Sequence, residues 1–265
     1  MALQAFQYAL SELVASPPLC LAVRAGKIEF LNRFDLSETE KARLMEVVWQ
    51  PGMSVSCSMY RSNRITPIYT LLNFTCFLLG ADLKKEVDEY WRSSQLPDLQ
   101  FKEEIERFGR HLKGRITAGA ITNPFVEEVL NFELAMNELQ FVPRQKILCQ
   151  IQRALERGEA GPFRVNPLIR VLLFRHEPFE VVDTLRQGRA PSDELPRGEF
   201  FVALSAVEEQ IDMKRLDSNL GSVLFRIQNQ GVPQQYTDEL RGLIQLGLSV
   251  PMEPDDNSGQ PSPLI

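Results

Sequence analysis

The chain has 265 residues, 44% hydrophobic and 24% charged, which is enough apolar material for a sizeable core and for two domains. A formal net charge of -6 and a pI near 5.2 leave no global positive field to gather a nucleic-acid backbone, so non-specific binding to DNA or to an anionic membrane is disfavoured. Met1-Ala2-Leu3-Gln4 lacks the basic start of a secretory signal, and no apolar run reaches the roughly 18 to 20 residues that span a bilayer, so the expectation is a cytoplasmic protein with no membrane partner.

Leu3, Phe6, Leu10, Leu13 and Val14 recur at helical spacing until Ser16-Pro17-Pro18 stops the helix, and a short helix is expected through Val23. Ser37-Glu38-Thr39-Glu40 has the form of a capping box ahead of a helix burying Leu44, Val47 and Val48, which Pro51-Gly52 ends. Ser56 to Leu79 is apolar and aromatic. Pro67 within it predicts a kink or two abutting helices, and Gly80 sits where a left-handed cap is cheap. Asp82 is placed to cap a helix with the stripe Leu83, Val87, Tyr90 and Trp91, and a second stripe runs Phe101, Ile105, Phe108, Leu112, Ile116. Asn123-Pro124 reads as an N-cap followed by proline at the first helical position, opening a helix through Phe125, Val129, Leu130, Phe132 and Leu139.

The glycines and prolines between Gly158 and Pro167 mark the expected domain boundary. Beyond it, Leu168 to Phe174 has strand length and Phe179 to Leu185 reads as a short helix. Glu199 to Ala206 and Ile211 to Arg215 are expected as strands joined by a turn at Glu208-Glu209. Asp217 or Ser218 caps a helix carrying Leu220, Val223, Leu224 and Ile227, and Thr237 opens a last one with Leu240, Leu243 and Ile244. The expected fold is therefore mainly α: a helical domain over residues 1–157, a small α+β domain over 163–250 and a disordered tail over 251–265.

Chemistry-bearing residues are sparse. Cys20, Cys57, Cys76 and Cys149 lie far apart and most are expected as buried apolar fillers; the weaker alternative is an autonomous enzyme with Cys57 as its nucleophile, which has no histidine near it in sequence. His111 and His176 are the only histidines, too few for a histidine-built metal site, and no G-x-S-x-G elbow or phosphate-binding glycine loop is present, so neither a catalytic residue nor a cofactor is assigned. The acid pairs Glu103-Glu104, Glu127-Glu128 and Glu208-Glu209 read as solvated faces. Tyr60, Arg61, Asn63 and Arg64 form a less ordinary face, in which arginine either pairs internally with Glu133 or Glu138 or holds an acidic partner segment.

Tyr60-Arg61-Ser62-Asn63-Arg64, Thr75-Cys76-Phe77-Leu78-Leu79-Gly80, Phe108-Gly109-Arg110-His111-Leu112, Asn123-Pro124-Phe125 and Phe132-Glu133-Leu134-Ala135 follow one another in a series. In order and spacing the series resembles the bacterial family that bears a DNA-binding-domain label and includes the methanobactin-biosynthesis partner protein MbnC and its HvfC-like relatives. Residues 1 to about 50 stand outside that pattern. The resemblance implies an N-terminal helical domain and a C-terminal domain similar to winged peptide-recognition modules. It further implies a non-catalytic adaptor subunit working with a ribosomally made precursor peptide and an iron-dependent TIM-barrel oxidase, with the iron held by the oxidase. The physical route for the peptide is strand addition to an exposed sheet edge, at Leu168 to Phe174, with Leu168, Arg170 and Leu172, or at Ile211 to Arg215, with Met213 and Arg215. The competing reading is a DNA-binding transcriptional regulator, against which stand the acidic pI and the scarcity of cations after Arg215, where Arg226 and Arg241 are the only two.

Overall fold

The computed structural model describes residues 2–93, 101–156, 163–230 and 249–251. It is mainly helical, with a small antiparallel sheet toward the C-terminus, and divides into two compact units, Met1–Ala118 and Gly119–Ile265.

In the first unit, α1 (Ala2–Ala15) and α2 (Pro17–Arg24) are separated at Ser16, because the prolines that follow cannot extend the first helix but can open the second. Helix α3 (Glu38–Val47) begins with both halves of the expected capping box: Glu40 N–H donates to Ser37 Oγ at 3.3 Å and Ser37 N–H to Glu40 Oε2 at 2.8 Å. These helices bury Ala9, Leu13, Cys20, Val23, Leu44 and Val48 together with Met53 and Cys57 of α4 (Pro51–Leu71). Helix α4 runs through Pro67, and the break expected there falls instead at Leu72, before α5 (Asn73–Leu79). Pro67 and Ile68 are both buried, so the gain from keeping that apolar turn helical offsets the one hydrogen bond proline cannot make. Gly80 closes α5 with φ +51°, a left-handed conformation that a side chain would strain, and α6 (Leu83–Ser93) and α7 (Phe101–Thr117) follow.

The second unit opens with α8 (Val126–Gln140) and α9 (Arg144–Glu156). Asn123 Oδ1 accepts from Phe125 N–H at 3.0 Å, so Asn123-Pro124 forms the entry turn and the helix starts two residues past the proline. Then come β1 (Phe163–Val165), β2 (Ile169–His176), α10 (Pro178–Arg186), β3 (Arg197–Ser205), β4 (Asp212–Arg215), α11 (Ser218–Gln230) and β5 (Ser249–Pro251). Strands β2, β3 and β4 make one antiparallel sheet in that order, while β1 pairs with β5 in a separate ribbon that the sequence reading did not anticipate. The expected last helix from Thr237 lies outside the described residues, as does the tail apart from Pro251, which the structure places in β5 and not in a disordered segment.

One sheet face, Ile169, Val171, Phe201 and Ala203, packs on Leu224 and Ile227 of α11. The opposite face buries Leu172, Phe174, Val202 and Leu204, and Phe174 meets Phe132 of α8 with ring centroids 6.3 Å apart. Helix α8 therefore belongs with the sheet, and the units divide after Ala118 rather than across residues 157–163. Glycine and proline density marks where the chain turns, whereas the division follows from which apolar faces cover one another. Among the described residues no single helix is long and apolar enough to cross a membrane; the bent pair Pro51–Leu71 and Asn73–Ser93, turned by 98°, passes by length and composition only as a pair.

Candidate functional site

In the first unit, Arg64 is 3% exposed and donates from Nε to Glu104 Oε1 at 2.7 Å. Its guanidinium carbon lies 5.1, 5.6 and 5.9 Å from the ring centroids of Tyr90, Trp91 and Tyr60, and Arg61 stacks on Trp91 at 5.3 Å. A cation in this position is held by ring quadrupoles and by the Glu104 carboxylate. Burial is the largest single influence and opposes the charge on Arg64, but the Glu104 hydrogen bond and charge together with Tyr90 and Tyr60 outweigh it and raise the guanidinium, so Arg64 stays charged. Burial likewise raises the Tyr60 phenol, against the pull of Arg64. Asn63 is exposed and lines a groove of about 370 Å³ with Ser54, Val55, Ser58, Met59 and Ser62, on the outer face of α4.

Glu104 and Glu128 correct the reading of the acid pairs as solvated, since they are 1% and 4% exposed. Neighbouring helical residues point about 100° apart, so one acid of each pair inherits the apolar face. Glu104 stands four before Phe108 and Glu128 four before Phe132, and that spacing is the signal by which they can be found.

The sheet of the second unit has β2 and β4 as its outer strands. In an antiparallel ladder alternate residues turn both backbone groups outward. On β2 two of those positions, Val171 and Arg175, are met by side chains. Val171 N–H donates to Gln228 Oε1 at 2.9 Å while its carbonyl accepts from Gln228 Nε2 at 3.1 Å, and Arg175 N–H donates to Glu128 Oε2 at 2.7 Å. Gln228 thus imitates a neighbouring strand for one residue. On β4, Leu216 N–H donates inward to Phe201 O at 2.9 Å, which with the register turns Met213 and Arg215 outward. Met213 N–H is met by the adjacent Asp212 side chain at 2.8 Å, and among the described residues the outer groups of Met213 and Arg215 have no backbone partner.

No protein-family model matches this chain, and no curated protein matches it.

The C-terminal candidate residues separate by role. Arg170, Leu204 and Met213 form one cross-strand rung, and Leu172, Val202 and Arg215 the next, all on the face toward α8. Leu168 and Leu172 are core residues there. Arg170 is committed to Glu138 of α8, with Nε donating at 2.9 Å, and to the carbonyls of Pro167 and Ile169. Glu133 is buried on α8. Met213 is half-buried at the open edge. The half-exposed Arg215 pairs with Glu177 and lies over the rings of Phe200, at 5.3 Å, and Phe179, at 6.0 Å.

Two histidine clusters complete the inventory. His176 Nδ1 and Glu128 Oε1 are 2.9 Å apart, both buried, with the Phe125 ring tilted against the imidazole at 4.4 Å. Burial pushes the Glu128 carboxyl above its ordinary range against the hydrogen bonds from Arg175 N–H and His176. Glu86, Glu89 and His111 bring donor atoms within 4.8 Å of one another, in the manner of a metal cluster. Arg115 already binds both carboxylates, reaching Glu86 at 2.9 and 3.1 Å and Glu89 at 3.2 Å, so a cation there would have to displace a guanidinium.

Proposed function

We propose that this chain is a non-catalytic adaptor subunit that binds a ribosomally made precursor peptide and serves an iron-dependent TIM-barrel oxidase that modifies it. The observation that carries the reading is the contrast between the two sheet edges. Strand β2 is met by Gln228 at Val171 and by Glu128 at Arg175, whereas β4 turns the backbone of Met213 and Arg215 outward with no strand beside it among the described residues. An extended peptide adds most readily to such an edge, gaining main-chain hydrogen bonds for affinity and side-chain contacts for choice. Arg215 lies at that edge, where an acidic residue of the peptide would exchange with Glu177 for its guanidinium, and Phe179 supplies apolar surface. The motif series of residues 60 to 135 supports the partner enzyme named here, by its resemblance to the methanobactin-partner family.

A DNA-binding role is the runner-up. Helix α11 carries Arg226 as its only lysine or arginine, which leaves no basic stripe for a phosphate backbone.

The test is affinity purification of the tagged full chain from its native host, with wild type beside Met213→Pro. Proline at an outward-facing edge position removes a donor to an incoming strand but none from the β3–β4 ladder. Recovery of an iron-containing TIM-barrel oxidase or a short peptide with the wild type, and loss of the peptide with the variant, is expected. Recovery of nucleic acid alone overturns the adaptor reading in favour of the regulator.

A further inference from the structure

Arg61 on α4 and Trp91 on α6 both belong to the first unit, and the Arg61 guanidinium carbon lies 5.3 Å from the indole centroid. Both side chains are partly buried, and each holds a buried donor that no acceptor meets, Arg61 Nε–H and Trp91 Nε1–H. Among the described residues no carboxylate pairs with Arg61. Six other arginines that the fold buries wholly or in part each have an acceptor. Arg64 has Glu104, Arg107 has Glu103, Arg115 has Glu86 and Glu89, Arg170 has Glu138, and Arg24 and Arg144 have the carbonyls of Val48 and Val207. A buried donor with no acceptor is destabilising and native folds keep few of them, so two on stacked side chains mark a place where an acceptor from outside the chain belongs.

Charge narrows the class of that acceptor. Two guanidiniums face the Trp91 ring, Arg61 and, with its carbon 5.6 Å from the centroid, Arg64. The Glu104 carboxylate balances Arg64, to which it is bonded, and one positive charge is left over on Arg61. A single excess charge suits a monoanion, and the planar guanidinium fork matches two coplanar oxygens. We propose that Arg61 and Trp91 form a binding site for a carboxylate, with Arg61 donating from Nε and one Nη to its two oxygens and Trp91 Nε1–H donating to one of them. Both side chains are only partly buried, so the anion enters from solvent, and the stacking on Trp91 holds the fork in one plane to receive it. The site does not depend on the open edge of β4.

Heteronuclear NMR of the folded full chain tests it, because the indole N–H groups of Trp49 and Trp91, the two tryptophans of the chain, give separate signals that Trp49→Phe assigns. The probes are sodium acetate, an end-blocked alanine peptide with a single glutamate, sodium phosphate and sodium chloride, at matched ionic strength. A saturable shift of the Trp91 signal with the carboxylates and none at Trp49 is expected, and Arg61→Gln should weaken binding of the same probe about tenfold or more. Saturation at a lower concentration of peptide than of acetate identifies a carboxylate carried on a polypeptide; the reverse identifies a small organic acid. If Arg61→Gln does not fold, Arg61→Lys, which keeps the charge without the fork, takes its place and should also bind more weakly. A Trp91 signal that neither carboxylate shifts saturably, an undiminished affinity in the Arg61 variant, or saturation by phosphate or chloride at an equal or lower concentration overturns the proposal.

Discussion

Gly221→Ala is the most demanding test of how the C-terminal sheet is closed. Helix α11 presses on β3 at this glycine: a Cβ added there would lie 2.5 Å from Cγ of Phe201 and 2.9 Å from its Cδ2. Carbon pairs prefer about 3.5–4.0 Å, so relief requires about 1 Å of movement by the helix or by a ring held in the core. Two effects of opposite sign then compete. Alanine is the better helix former by about 1 kcal/mol, whereas overpacking a filled core costs about 1–3 kcal/mol or more. With the contact on the stem of the Phe201 side chain rather than at a flexible tip, overpacking wins, and a net loss of about 1–2 kcal/mol is expected. Urea unfolding followed by far-UV circular dichroism measures it. Tryptophan emission is the wrong probe, because Trp49 and Trp91 both precede Gly119. Gln228 sits seven residues, or about two turns, along the same helix, so the Val171 amide it holds should also lose hydrogen-exchange protection. A variant more stable than wild type would mean that space exists beside Phe201 and that α11 does not fix the β2 edge.

Arg64→Ala leaves the Glu104 carboxylate buried without its guanidinium, and a loss of about 3–5 kcal/mol is expected in urea unfolding, read by emission from Trp91; a loss below about 1 kcal/mol would show that Glu104 has another route to charge balance. Glu128 has a carboxyl raised by burial, so the folded state favours its proton relative to the unfolded state. Its contribution is therefore full below the ordinary carboxylate range and is lost as pH climbs through the raised folded value. Glu128→Gln keeps an acceptor for Arg175 N–H and should flatten this part of the stability profile; an unchanged slope refutes the assignment.

Much of the fold was legible as local chemistry. The Ser37–Glu40 capping box, the left-handed Gly80 and the strand-length apolar run of β2 depend on residues a few positions apart, and pattern alone reveals them. Pro67 misled because its cost is local while the burial that outweighs it is not. The candidate sites were legible only in part. Tyr60, Arg61 and Arg64 were marked by their chemistry, but Glu104 lies 40 residues from Arg64, and nothing in either segment names the other.

By itself the sequence determined the helical character, the acidic surface and the positions of most turns, because propensity, charge and capping act between near neighbours. Only the tertiary structure decided that α8 covers the sheet, that Gln228 meets the β2 edge while β4 has no strand beside it among the described residues, and that Cys20 and Cys57 share one core. Each of these depends on which apolar faces pack together, and packing joins residues whose separation along the chain carries no trace of their contact.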